Sequence, residues 1–263
     1  MLKKHSLHIP ACLVCSLTMN QIARPLAQGQ MPVTRWTVIA QLHSRDEKMV
    51  RRALDDLCAQ YHYPLYCYIR LRGLSHHDAE DALHDFLAKF LRLDSFQTAD
   101  ESKGKLRTFL LVSLKRFLTN WTCQHSHSEE TSLESGIYNE DLEHYQKERF
   151  SNEDSPDRIF ERKWAQELLI GALQRVREKY ALIGKEHVFD VLRPVLCGSG
   201  SLRGEDGVAM AHSLGLSSGA LRVALNRLLR DYREMLESDI AQTVFDRDKV
   251  SEEIAYLKQA FAK

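Results

Sequence analysis

The chain carries no net charge: 36 Lys and Arg residues balance 36 Asp and Glu residues over 263 positions. The total therefore points to no class of partner, and only the placement of the charges can. A cysteine framework is missing as well. Cys12, Cys15, Cys58, Cys67, Cys123 and Cys197 are scattered, and Cys12 and Cys15 alone have CxxC spacing. With no second pair nearby, that spacing is a poor zinc signature, and nothing resembles a secreted disulfide scaffold. Reduced, cytoplasmic thiols are the expectation. Long apolar runs are also lacking. Leu7–Met19, behind Lys3 and Lys4, is interrupted by His8, Pro10 and Ser16 and is followed by no convincing small-x-small cleavage site. It is too short to span a bilayer. Residues 1–33 read instead as an extension, disordered or upstream of a true start at Met31, and no membrane partner is expected.

What remains is a chain whose apolar residues recur at helical spacing almost throughout, which predicts an all-α fold. Asp46 is placed to cap a helix with Met49, Val50, Ala53, Leu54, Leu57 and Cys58 on one face. Tyr61, Tyr63, Tyr66 and Tyr68 surround Pro64, and four such rings read better as core than as a stacking platform. Pro64 suits a helix first turn, so Pro64–Leu71 is expected as a separate helix stopped by Gly73. Ser75 then caps Ser75–Leu93, whose buried stripe would be Ala79, Leu83, Phe86, Leu87, Phe90 and Leu91.

The opposite face of that helix carries His77, Asp78, Asp81, His84 and Asp85. Three readings fit. A metal site is one, since His77, Asp81, His84 and Asp85 share a face and the two His-Asp pairs suit a metal-dependent phosphohydrolase. Such a site needs further ligands from other helices, and no second compact His/Asp cluster is visible. A docking surface for a basic partner is the second reading, and a solvated acidic face the third.

Lys105–Gln124 is again helical, with Leu106, Phe109, Leu110, Ser113, Leu114, Phe117 and Leu118 as its apolar face. From Ser102 to Gln124 the only charges are Lys103, Lys105, Arg107, Lys115 and Arg116, all basic, and Asn120 and Trp121 close the helix. Cations beside aromatic rings are what phosphate pairing and base stacking require. His125–Asp157 changes character and is rich in Glu, Asp and Ser. Such a composition buries too little apolar surface to fold alone, so residues 125–156 are read as an acidic flexible linker able to screen nearby basic surfaces.

A second helical domain is expected over 157–243, beginning with a long helix carrying Phe160, Trp164, Leu168, Ile170, Ala172, Leu173 and Val176. A shorter one follows over His187–Leu196, stopped by Pro194 and the loop Gly198–Gly204. Within Gly207–Tyr232 the pattern predicts a helix, a tight turn at Gly215 and a second helix capped by Ser217. Ala211 would sit where the helices cross, with Met210, Leu214, Leu216, Leu221 and Ala224 packing them. Ser218, Arg222, Asn226 and Arg227 would point outward, types that suit guanine, adenine and phosphate in a major groove. Residues 244–263 form a tail with Val250, Ile254, Leu257 and Phe261 on one face, expected to dock on this domain or in an oligomer.

In this order the segments resemble bacterial RNA polymerase sigma factors of the extracytoplasmic-function type. DAEDALHDFLAKFL (Asp78–Leu91) is similar to that family's region-two helix that binds the polymerase clamp. KLRTFLLVSLKRFLTNW (Lys105–Trp121) is similar to the helix that opens and reads the −10 element. LGLSSGALRVALNRLLRDYREML (Leu214–Leu236) is similar to the region-four recognition helix for the −35 element, and TRWTVI and the tail fit an ECF-like subgroup. The resemblance covers about residues 34–263. It implies a region-two-like domain over 34–124, a region-four-like helix-turn-helix domain over 157–243, and a cytoplasmic initiation factor with no catalytic residue, metal or cofactor. Its partners would be core RNA polymerase (β′ clamp and β subunit), promoter DNA and an anti-sigma factor or other regulator. Asp78, Asp81 and Asp85 would dock on the clamp. Lys105, Arg107, Lys115, Arg116, Asn120 and Trp121 would meet the −10 element, and Arg222, Asn226 and Arg227 would read −35 with Ser217 and Ser218 near the phosphates. The alternatives are a helix-turn-helix regulator acting without polymerase and the phosphohydrolase. The linker is longer and more acidic than the family's usual one. Gly219, inside the recognition helix, costs about 1 kcal/mol relative to Ala.

Overall fold

A computed structural model of the chain describes Gln41, residues 44–92, 105–125, Tyr145, and residues 155–197, 201–241 and 250–261. The readings of residues 1–33, of TRWTVI, of the loop before Lys105 and of nearly all of 125–156 lie outside the described residues. The described chain is all-helical, with helices α1 (Glu47–Leu71), α2 (His76–Arg92), α3 (Leu106–His125), α4 (Pro156–Leu182), α5 (Glu186–Leu196), α6 (Gly204–Leu214), α7 (Ser218–Ala241) and α8 (Val250–Phe261). Among the described residues no single helix is long and apolar enough to cross a membrane. Two compact units are formed, one ending at Trp164 and one running from Ala165 to the end of the chain.

In the first unit, Asp46 Oδ1 accepts from the Lys48 amide at 3.0 Å and starts α1. The expected break at Pro64 does not occur: α1 is one helix of 25 residues with Pro64 inside it. Proline removes an amide donor and crowds the preceding turn. The buried residues Tyr61, Tyr63, Leu65, Tyr66, Cys67, Tyr68 and Ile69 that flank it supply the packing that offsets this cost. Arg72 and Gly73, the latter at φ 95°, then end the helix. Ser75 caps α2 reciprocally, accepting from the Asp78 amide at 3.1 Å while its hydroxyl donates to Asp78 Oδ2 at 2.7 Å. α2 lies against α1 and α3, joined by the rings of Phe86 with Phe90 and Phe117, and of Phe90 with Phe109. The first turns of α4, with Ile159, Phe160 and Trp164 fully buried, complete this core.

In the second unit, the rest of α4 buries Leu168, Ala172, Leu173 and Val176. α7 is its central helix and touches α5, α6 and α8. Leu221, Leu225, Leu228, Tyr232, Leu236 and Ile240 line the buried side of α7, four or three residues apart. Polar ties add direction: the Tyr232 hydroxyl donates to the Leu169 carbonyl at 3.4 Å, Tyr180 donates to Asp231 at 3.1 Å, and Arg175 pairs with the buried Asp239. Burial raises the Tyr232 pKa further than any other cause, with the Cys197 thiol adding to it. α5 ends at Leu196, where the sequence reading ends it, with Pro194 inside its last turn. α8 docks on α7 of its own unit, with Leu257 and Glu253 buried.

Candidate nucleic-acid interface

The local sequence dictates how α6 meets α7. Gly207 lies where α6 passes the Leu202 carbonyl, and any Cβ there would collide with that backbone. Gly215 takes the left-handed conformation, φ 63° and ψ 31°, which costs glycine no Cβ strain. Its amide donates to the His212 carbonyl at 3.1 Å, and the Leu216 amide reaches the Ala211 carbonyl at 2.9 Å, the paired bonds of a Schellman stop. Two residues later Ser217 Oγ accepts from the Ala220 amide at 3.2 Å and starts α7. The result is two helices joined by a three-residue turn and bent by 88°. Ala211 and Leu221 are buried at the junction, while Met210, Leu214, Leu216 and Ala224 are half-buried.

Ser217, Ser218, Arg222, Asn226 and Arg227 are all exposed, as are Gly219, Ala220 and Val223 between them and Arg230 beyond. Among the described residues Arg222 and Arg227 enter no ion pair, whereas Arg230 lies 3.8 Å from Glu234. A helix of this kind offers hydrogen-bond donors and an uncompensated positive charge to an external anion.

The basic helix α3 is arranged otherwise. Arg116 and Asn120 are exposed and Lys105 and Lys115 half-exposed. Lys115 Nζ is held 2.6 Å from Asp157 Oδ2. Arg107 is only 2% exposed. Its Nε donates to Glu161 Oε2 at 2.7 Å, and its Cζ sits 4.1 Å from the centre of the buried Trp164 ring. Trp121 is 7% exposed, and its indole N–H donates to Asp85 Oδ2 at 3.2 Å. Neither Arg107 nor Trp121 therefore stands on the surface where the sequence reading put it. The periodicity contained the signal, because Arg107 falls beside Leu106 and Leu110 on the inner side of α3, and Trp121 one turn beyond Leu118.

On α2, Asp78, Asp81 and Asp85 are all exposed, yet they are not equivalent. Asp78 closes the cap with Ser75, Asp85 holds Trp121, and Asp81 faces His77 Nε2 at 3.6 Å. Among the described residues no group of three or more His, Cys, Asp or Glu side chains is placed to hold a metal ion. The ligand set that the phosphohydrolase reading needs is thus not brought together there. His76, which entered no reading, is the better-fixed imidazole, with its Nδ1 2.9 Å from the Tyr66 hydroxyl.

Compared with protein-family models, curated proteins and solved structures, the chain matches none.

Proposed function

We propose that the chain is a DNA-binding initiation factor that reads duplex DNA with the outward side of α7. More narrowly, we infer a sigma factor of the extracytoplasmic-function type, which binds core RNA polymerase and directs promoter recognition, DNA melting and transcription initiation. One observation carries the reading: α7 leaves a tight turn at 88° from α6 with Arg222, Asn226 and Arg227 exposed and, for the two arginines, without a carboxylate partner among the described residues. A helix so presented fits a major groove, with arginine suited to guanine and asparagine to adenine. In this reading α6 and α7 form the helix-turn-helix of a −35-binding domain, residues 125–156 are a linker, and α1 to α3 belong to the −10 and polymerase-binding domain.

The chemistry is non-covalent. Lys105, Lys115, Arg116 and Asn120 would contact the strand at −10, and the energy of holding unpaired bases would offset the cost of opening the duplex. Arg107 and Trp121, being buried, would act by holding α3 in place. The acidic side of α2 would meet the clamp, and an anti-sigma factor or other regulator is a further expected partner. Titration against bacterial core RNA polymerase, followed by run-off transcription from the DNA upstream of the chain's own gene, tests the reading. Submicromolar binding with new initiation is expected, and no binding to core would leave the second reading, a helix-turn-helix regulator acting without polymerase. Asp81→Lys is the cleanest variant of the clamp surface, because it spares the Ser75 cap and the Trp121 bond. It should weaken core binding about tenfold while leaving the fold unchanged.

A further inference from the structure

Val223 is 49% exposed on α7. Single exposed apolar residues are ordinary on a protein surface, but the setting of this one is not. At 3.6 residues per turn it lies roughly opposite the mean direction of Leu221, Leu225, Leu228 and Tyr232, the buried side of the helix. It is thus the centre of the outward face. Its neighbours one turn away are Gly219 and Ala220 on one side and Asn226 and Arg227 on the other, all exposed. Among the described residues Gly219 serves no internal packing, since a Cβ added there would find only Ser217 Oγ, 4.0 Å away. In the first turn of α7, the missing side chain of Gly219 is thus not explained by packing against any described residue. The outward face is therefore low and apolar over Gly219, Ala220 and Val223, and polar over Asn226 and Arg227 beyond them.

We infer that Val223 is a specificity-determining residue that reads the C5-methyl of a thymine next to the bases met by Asn226 and Arg227, with Gly219 and Ala220 letting the helix backbone sink close to the base edges. The thymine methyl is the apolar group that base-pair edges present in the major groove. A branched aliphatic side chain can pack on it and offers nothing to the hydrogen-bonding edges of the other bases. The inference rests on the proposed reading of duplex DNA by α7 and adds to it a base and a residue.

The test starts from duplexes with a random core, selected by the full chain with and without bacterial core RNA polymerase. The selected duplex is then remade with deoxyuridine at each thymine in turn, which removes one methyl group and changes nothing else. At one position or two adjacent ones the wild type should bind the deoxyuridine duplex about fourfold more weakly, the worth of one methyl taken from water. Val223→Ala should bring the thymine-to-deoxyuridine ratio at that position close to one, and Val223→Thr, which keeps a methyl, should retain most of it. Thermal unfolding of both variants should match the wild type, because the site is exposed. A selected duplex whose thymines can all be replaced without effect, or discrimination that survives in Val223→Ala, overturns the inference and leaves duplex reading intact. Enrichment of no sequence overturns duplex reading and this inference with it. If Val223→Ala instead weakens binding to core polymerase with the ratio unchanged, the side chain is a protein contact and the inference is wrong.

Discussion

Helices α3 and α7 carry three and four Lys or Arg residues, and use them in opposite ways. On α3 the chain supplies its own counter-ions: Glu161 and the Trp164 ring take Arg107, and Asp157 takes Lys115. On the outward side of α7 Arg222 and Arg227 have no carboxylate against them among the described residues, and only Arg230 is near one, Glu234. A count of lysines and arginines does not separate these two cases. Burial sets Arg107 apart, because a cation removed from water has to be paired; the half-exposed Lys115 is paired only because Asp157 lies beside it.

The largest effect that would break this contrast is on stability. Arg107→Ala leaves Glu161 partly buried without its cation and opens a space against Trp164, and should cost about 3 kcal/mol. Urea unfolding of the full chain measures it, and an unchanged midpoint would mean that Arg107 is not part of the core. Arg222→Ala and Arg227→Ala should change stability by less than about 0.5 kcal/mol. Each should instead lower affinity for the selected duplex about tenfold and reduce the salt dependence of binding. Destabilisation by either variant, with DNA binding unaltered, would reverse the roles of the two helices.

A further variant sharpens how α7 is held. The Tyr180 hydroxyl donates to Asp231, and Lys179 Nζ lies 3.1 Å from the same carboxylate. Burial first, and then the charge and hydrogen bond of Asp231, push the Tyr180 pKa up to about 12. The folded chain therefore keeps a proton that the unfolded chain, with an ordinary tyrosine pKa of about 10, has already released. This contribution is complete below pH 10 and is lost as pH rises towards 12. Tyr180→Phe should lower stability at pH 8 by about 1 kcal/mol, and the gap to wild type should close over that alkaline window. A gap that stays constant from pH 8 to 12 would remove Tyr180 from the ties that set α7.

Helix capping and the apolar stripes were legible in the sequence, because both are local. Asp46, Ser75, Ser217 and Gly215 each act where their spacing from the next apolar residues placed them. Pro64 departs from its expected place for a non-local reason. The local sequence puts the surrounding tyrosines in the core, but whether that packing carries a proline through a helix is decided by the segments they pack against. The candidate site divides the same way. Arg222, Asn226 and Arg227 are exposed because the helical phase of α7 opposes them to its leucines. The burial of Arg107 and Trp121 depends on Glu161, Trp164 and Asp85, from segments 36 to 57 residues away along the chain. Periodicity gives the inner side of α3, but not which polar groups will wait there to receive a cation or an indole N–H.

The smallest effect concerns Lys115. Asp157 follows the acidic segment directly, and its carboxylate occupies Lys115, the one ammonium of α3. Both side chains are about half exposed, at 41% and 52%, so the pair is worth less than about 1 kcal/mol and is screened by salt. A strand phosphate would have to displace the carboxylate before it could use Lys115. Asp157→Asn removes that competition with little change in shape, and binding of single-stranded DNA by the full chain should tighten about twofold at low salt, with the gain fading as salt rises. Lys115→Ala should erase the gain when combined with Asp157→Asn, since the two changes act through one contact. Tightening that persists in the double variant would assign the effect to the acidic segment's overall charge, and no tightening would mean that α3 meets the strand through Lys105, Arg116 and Asn120 without Lys115.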